Sequence, residues 1–240
     1  MNIILFTGPS LSPRLAVNVL NARCFPPVSQ GDVYRAALEG PDVIGIIDGY
    51  FRSVPSVWHK EILWALSRGI RVYGSASMGA LRAAELAPFG MIGVGWVYEA
   101  FRNGLLTDDD EVAVEHGPAE LDYASTSEAM VNIRRTLAAA ERDKIISCDT
   151  RSKLEAAAKS TFYPQRSYAN LVSVAERQNI DHSEIHALSE WLPSGKVNQK
   201  QIDALTMLDE IRSSAQPATR PFEFTFEHTT MWDQILHADE

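Results

Sequence analysis

The run Val72-Tyr73-Gly74-Ser75-Ala76-Ser77-Met78-Gly79-Ala80-Leu81-Arg82-Ala83-Ala84-Glu85-Leu86 restricts the fold of this chain more than any other segment. A β-rich stretch stops at a cluster of small residues and restarts at once as a strong helix former. Ser77 stands at the break, with Gly79 two residues later. A strand–turn–helix of this kind presents a serine hydroxyl at a sheet edge, beside the free N–H groups of the new helix. Such a turn suits attack on a carbonyl or capture of an anion. Two plainer readings compete: small residues also occur where a helix packs tightly on a sheet, and serine is a common N-cap. A strict G-x-S-x-G motif would need glycine at position 75, where this chain has Ser75.

The same alternation extends to both sides. Asn2 to Phe6, Asp42 to Ile47 and Ile70 to Tyr73 read as buried strands, and Cys24 to Val28, with Pro26-Pro27, as a short edge strand at most. Helices are predicted from Ser12-Pro13 to about Leu20, from Asp32 to Leu38, from Pro55 to Arg68 and from Met78 to Leu86. Strands and helices at this spacing mean βαβ units with right-handed crossovers. The fold class is therefore α/β: a three-layer parallel sheet in the N-terminal half, followed by a mostly helical C-terminal part. After Phe89, Gly90, Gly93 and Gly95 loosen the chain before a helix from Trp96 to Asn103. An acidic loop follows at Thr107 to Glu111, then a short strand at Val112 to Glu115. Helices are expected at roughly 126–141, 143–160, 166–178, 182–191 and 198–213, with Asp181 and Asn198 as N-caps. Phe222 to Phe226 alternates like a strand or a docking arm. The domain reading is 1–120 for the α/β core and 121–240 for a helical region packed on it.

Composition sets the class. The 240 residues are 45% hydrophobic and 22% charged, enough to bury a core without disulfides or metal. Cys24 and Cys148 lie in unrelated contexts, which argues against a disulfide framework or a zinc site and fits a reducing cytoplasm. The N-terminus lacks the basic start and apolar length of a signal peptide, and no segment reads as a membrane span. A net charge of −9 disfavours non-specific binding to nucleic acid or anionic lipid. Asp108, Asp109 and Asp110 lack the alternation and closing glutamate of an EF-hand loop, so no metal is expected and the run reads as solvated. There is neither a Walker A lysine nor a G-x-G-x-x-G, and no cofactor is expected.

In a βαβ sheet the C-terminal ends of the strands share one edge, and ligands bind there. Thr7-Gly8-Pro9-Ser10, Asp48-Gly49-Tyr50 and Ser75 to Gly79 all fall on that edge, with His59 and Lys60 one or two turns into the following helix. A serine, a base and flexible N–H donors thus converge from distant segments. Each has a plainer reading. His59 and Lys60 suit the polar side of an amphipathic helix, Asp48 a loop cap, Gly49 a turn with φ > 0, Arg82 and Glu85 a surface ion pair, and His116 a loop position.

Asp48-Gly49-Tyr50-Phe51, Val57-Trp58-His59-Lys60-Glu61-Ile62-Leu63, Gly74 through Glu85, Gly90-Met91, Gly93, Gly95 and Asp109-Asp110-Glu111-Val112-Ala113 with His116 resemble the core of the TfuA-like family, over roughly residues 1 to 120. The resemblance implies a partnership with a YcaO protein, which uses ATP to turn backbone amides of ribosomal peptides, or of a methanogenesis enzyme, into thioamides. It further implies that the TfuA-like protein engages a thiocarboxylated ubiquitin-like sulfur carrier and hydrolyses its thiocarboxylate to deliver sulfide. Contact with the precursor peptide and formation of a homo-oligomer stay open.

The residues suit that job. Thiocarboxylate hydrolysis is acyl transfer to water and needs a nucleophile, a base and oxyanion donors. Ser77 is the candidate nucleophile. Lys60 or His59 is its base, with His116 a further candidate. Met78, Gly79 or Gly49 supplies N–H donors, and Asp48, Tyr50, Arg82 and Glu85 complete the binding set. Two rivals remain: a non-catalytic adaptor joining carrier and YcaO protein, and a serine hydrolase resembling the LD-carboxypeptidases.

Overall fold

Ile3–Phe6 and Val43–Ile46 are buried at every position, the mark of strands covered on both faces. They form β1 and β3 of a five-stranded sheet whose order is β2-β1-β3-β4-β5. The others are β2 (Arg23–Phe25), β4 (Arg71–Ser75) and β5 (Ile92–Val94), and every neighbouring pair is parallel. The helices are α1 (Pro13–Val19), α2 (Asp32–Leu38), α3 (His59–Ser67), α4 (Met78–Leu86), α5 (Trp96–Arg102), α6 (Met130–Arg142), α7 (Cys148–Ser160), α8 (Tyr168–Arg177), α9 (His182–Gly195) and α10 (Gln199–Ser213). This computed structural model describes residues 1–52, 54–178, 180–214, 224–227, 229 and 232.

The chain forms two compact units, Met1–Leu105 with Asp203–Glu240, and Leu106–Ile202. They are not consecutive halves. The sheet unit recruits most of α10 from the far end of the chain. Ile3, Leu5, Val43 and Tyr73 share one apolar cluster with Ala16 of α1 and with Ala204, Met207, Leu208 and Ile211 of α10. Gly45 permits this approach, because a Cβ there would lie 2.6 Å from Leu5 Cδ2 and 3.2 Å from Met207 Cε. The alternate residues Ile4, Ile44 and Ile46 point the other way and are equally buried. The α/β, three-layer expectation holds. Strand order reverses between β1 and β3, so their C-terminal loops flank the crevice that such sheets leave open.

Two helices of this unit begin at glycine and take their caps from elsewhere. Gly31 (φ +88°) and Gly95 (φ +97°) precede α2 and α5, and neither helix has a cap from its own side chain. Glu61 of α3 accepts from Val33 N at 3.2 Å and Tyr34 N at 3.4 Å, satisfying the first turn of α2. Its other oxygen accepts from Trp58 N at 3.1 Å, which is why α3 starts at His59 and not at Pro55. Burial pushes this carboxyl above the ordinary glutamate range, and the backbone donors oppose that rise. Asp203 of α10 performs the same service for α5, accepting from Val97 N at 2.7 Å.

Two short elements differ from the sequence reading. The glycine-rich link after Phe89 contains β5, and Gly93 is required there because a Cβ would meet the Tyr98 ring at 2.1 Å. Val112 to Glu115 forms no strand; a single antiparallel bridge, His116 to Ser125, closes this segment. Of the predicted tail strand, Phe222 and Glu223 lie outside the described residues, and Phe224 to Phe226 carries no ladder.

In the second unit Met130, Ile133, Leu137, Leu154, Leu171 and Leu188 centre the core of α6 to α9. Ser147, Ser167 and Asp181 cap α7, α8 and α9 by accepting from first-turn N–H groups. The acidic loop is solvated only in part: Asp108 and Asp109 are exposed, while Asp110 is half-buried and Glu111 buried. Lys159 sits among Asp108, Asp110 and Glu111; Arg166, almost fully buried, pairs with Asp110; and Arg134 forms a two-pronged pair with Glu111, both bonds 2.9 Å. Among the described residues no cluster suits a metal ion, and no helix is long and apolar enough to cross a membrane.

Candidate functional site

The tight turn between β4 and α4 is built by backbone contact. A Cβ on Gly79 would lie 1.8 Å from Ile46 O, and one on Gly74 would lie 2.1 Å from Gly79 O. Glycine is therefore obligatory at both positions, and the packing reading of the small residues accounts for these two. Ser75 is also structural, since its hydroxyl donates to Val94 O at 2.9 Å and ties β4 to β5.

Ser77 does not fit the capping reading. Its side chain accepts no N–H from the first turn of α4, so it is not a side-chain cap. Among the described residues its hydroxyl has no hydrogen-bond partner, although the residue is only 2% exposed. The residue before it is strained. Ala76 has φ +64°, and Ser77 N donates to Ser75 O at 2.7 Å across it, closing a γ-turn of the rare positive-φ form. A non-glycine residue here costs about 1–2 kcal/mol of backbone strain. The surrounding contacts fix the turn, and strain of this kind clusters at functional sites.

The neighbouring loops close on this turn. Asp48, 1% exposed, accepts from Ser10 Oγ at 2.6 Å and from Ser10 N at 3.0 Å, joining the loops after β1 and β3. Gly49 pairs with Val28 in a parallel bridge, and a Cβ on it would meet Met78 Cβ at 2.8 Å. Space is the reason for glycine at 49; its φ is not positive. Gly79 N reaches Ile47 O at 3.4 Å. Tyr50 is half-buried, and burial together with the Asp32 charge raises its phenol above the ordinary range. Asp48, Gly49, Met78 and Gly79 thus come together around the turn that carries Ser77.

The basic candidates occupy different places. His59 Nε2 lies 2.7 Å from Glu85 Oε2, and Arg82 Nη1 lies 2.9 Å from the same oxygen. Arg82 Nε also donates to Val57 O at 3.1 Å, fastening the start of α3 to α4. Burial by itself would raise the Glu85 carboxyl, but the His59 hydrogen bond and the Arg82 charge hold it below its ordinary value. Glu85 is eight residues along α4 from Ser77, about 12 Å of helix rise. Lys60 Nζ donates to Thr229 Oγ1 at 2.9 Å and lies 5.4 Å above the Phe226 ring. His116 belongs to the second unit, where Nδ1 is 2.8 Å from Gly117 O and the ring stands edge-on to Tyr123.

Ser10 is the site residue whose role the sequence does not show. The serine lies in a loop the sequence places at the right edge, but nothing in its spacing reveals the bond to Asp48. The thiol of Cys24 faces Pro13 O at 4.0 Å, and burial pushes it above the ordinary thiol range, which suits an inert core residue.

A family model described as TfuA-like protein matches residues 48–167, from Asp48 through the end of the Asp110–Arg166 network. The match therefore runs further into the helical region than the sequence motifs do. No curated protein matches the chain.

Proposed function

The chain belongs to the TfuA-like family, which is linked to YcaO-associated thioamidation, and on that premise we propose that it releases sulfur from a thiocarboxylated carrier protein by acyl transfer to Ser77. The observation that carries this reading is the unbonded Ser77 hydroxyl on a strained turn at the open edge of the sheet. Ser77 Oγ attacks the thiocarboxylate carbon, its proton passes to a base, and the C–S bond breaks to release hydrosulfide. Water then cleaves the acyl-serine, returning the carrier as a carboxylate and restoring the hydroxyl. The Met78 N–H at the start of α4 and the Gly49 N–H are the candidate oxyanion donors, the Gly79 N–H being turned to Ile47 O. The base is drawn from Lys60 and His59, the two basic candidates that share the unit of Ser77. Either must first leave its present partner, His59 the Glu85 carboxylate and Lys60 the Thr229 hydroxyl, to reach Ser77. The released sulfide passes to the YcaO partner.

The adaptor reading requires no chemistry at Ser77. Mixing the purified protein with a thiocarboxylated carrier separates the two. Sulfide appearing without YcaO protein or ATP is the expected result. A carrier recovered intact after long incubation leaves the adaptor, and muropeptide cleavage without any carrier would favour a peptidase.

A further inference from the structure

We propose that the groove between α8 and α9 is the surface through which two copies of this chain pair, about a two-fold axis passing close to Val172. The groove has a volume of about 490 Å3 and belongs entirely to the helical unit. Tyr168 and Val172 of α8, with Leu192 and Pro193 of α9, supply its apolar lining. Charge stands at both ends. Lys196 Nζ lies 5.0 Å from the centre of the Tyr168 ring, at the start of α8. Glu176 lines the groove eight residues further along the same helix, about 12 Å of helix rise. Both residues are exposed, and among the described residues neither has a partner of opposite charge.

An apolar strip with a cation at one end and an anion at the other is complementary to itself. In a two-fold interface, if residue i of one copy meets residue j of the other, then j also meets i. Turning a second copy end over end about Val172 sets its Glu176 against the first Lys196 and its Lys196 against the first Glu176, with the apolar middle covered. Tyr168, Val172 and Glu176 fall at i, i+4 and i+8, one stripe of α8, so the two α8 helices run antiparallel across the axis. The exposed α8 positions beside that stripe, Ala169 and Ser173, are small and let a second helix come close. A partner of one charge sign would satisfy one end of the groove and be repelled at the other. The pairing does not depend on the sulfur chemistry.

Sedimentation equilibrium of the full chain at low ionic strength tests the pairing. Over roughly 2 to 500 μM it should show a monomer–dimer equilibrium with a dissociation constant on the order of 10–100 μM, as suits a contact below standard interface size. Lys196→Glu and Glu176→Lys each turn two attractions into two repulsions and should each weaken the dimer about tenfold. Mixed in equal amounts, these two variants regain both charge pairs in a heterodimer. With one of them isotope-labelled, native mass spectrometry should find the mixed species in excess over either homodimer. Ser173→Arg places bulk and charge at an exposed α8 position and should also disperse the dimer, with thermal melts confirming that every variant is folded. A protein that stays monomeric over the whole range would overturn the proposal. So would a dimer unmoved by all three substitutions, or a mixture of the two charge variants that shows no excess of heterodimer.

Discussion

The turn at Ala76-Ser77 and the charged network around Asp110 lie in different units and treat their polar groups in opposite ways. In the helical unit Lys159, Arg166, Arg134 and Arg151 are each matched by carboxylates, so Asp110 and Glu111 at the end of the acidic run are part of the architecture. In the sheet unit the Ser77 hydroxyl has no hydrogen-bond partner among the described residues, and it follows Ala76, whose backbone is bent into a costly conformation. Satisfied charges hold a structure together. Backbone strain on an over-determined turn is a cost that packing alone does not explain, and it marks where chemistry is to be sought.

That contrast can be broken at several points. The largest effect is expected at Gly79→Ala, where the new Cβ would collide with Ile46 O at 1.8 Å. The variant should lose upwards of about 3 kcal/mol or fail to fold, since overpacking against backbone has no soft neighbour to yield. A urea melt close to that of the native protein would show that the turn is not fixed by backbone contact.

Next comes Arg166→Met. It leaves the Asp110 carboxylate and the backbone carbonyls of Ala158, Thr161, Asp110 and Lys159 without their buried guanidinium, and removing one member of a buried pair costs about 3–5 kcal/mol. The loss should appear in the melt, with the Ser77 chemistry unchanged at temperatures where the variant stays folded. A loss of chemistry in that folded variant would undo the separation between the two regions.

Acid dependence is a third point. Burial tends to raise the Asp110 carboxyl, but hydrogen bonds and charges from Lys159 and Arg166 hold it below its ordinary value. A carboxyl with a depressed folded pKa adds stability above its unfolded value, near 4, and loses it as pH falls through the folded value. Asp110→Asn should therefore flatten the acid limb of a stability–pH profile below about pH 4. An unchanged limb would remove Asp110 from the account.

The smallest effect is Ala76→Gly, which relieves the positive φ and should stabilise the fold by about 0.5–1 kcal/mol, strain relief being partly offset by chain entropy. A destabilised variant would show that Ala76 is held for its methyl rather than tolerated.

Much of the sheet was legible because buried parallel strands announce themselves as apolar runs and their helices follow at regular spacing. What stayed hidden depends on long-range partners. Glu61 capping α2 and Asp203 capping α5 join segments 28 and 106 residues apart, and no local pattern encodes them. β5 was concealed by Gly93, which serves Tyr98 and weakens the strand signal. α10 reads as one more helix of the C-terminal region, although its apolar residues complete the sheet core. At the site, spacing picked out Ser77, Asp48 and Gly49, while the strain fell on Ala76, a residue type that gives no warning of positive φ. The same limit hid the engagements of His59 and Lys60, whose partners Glu85 and Thr229 lie 26 and 169 residues away.

The most direct test of the central claim is sulfide release from a thiocarboxylated carrier by native protein and Ser77→Ala, each checked by thermal melt. With no cap bond to lose, Ser77→Ala should melt within about 0.5 kcal/mol of the native protein, where a capping serine would cost about 1 kcal/mol. Its turnover should fall by several orders of magnitude, as when other covalent nucleophiles are removed. A stable Ser77→Ala protein that releases sulfide at the native rate would contradict the account and leave the adaptor reading in its place.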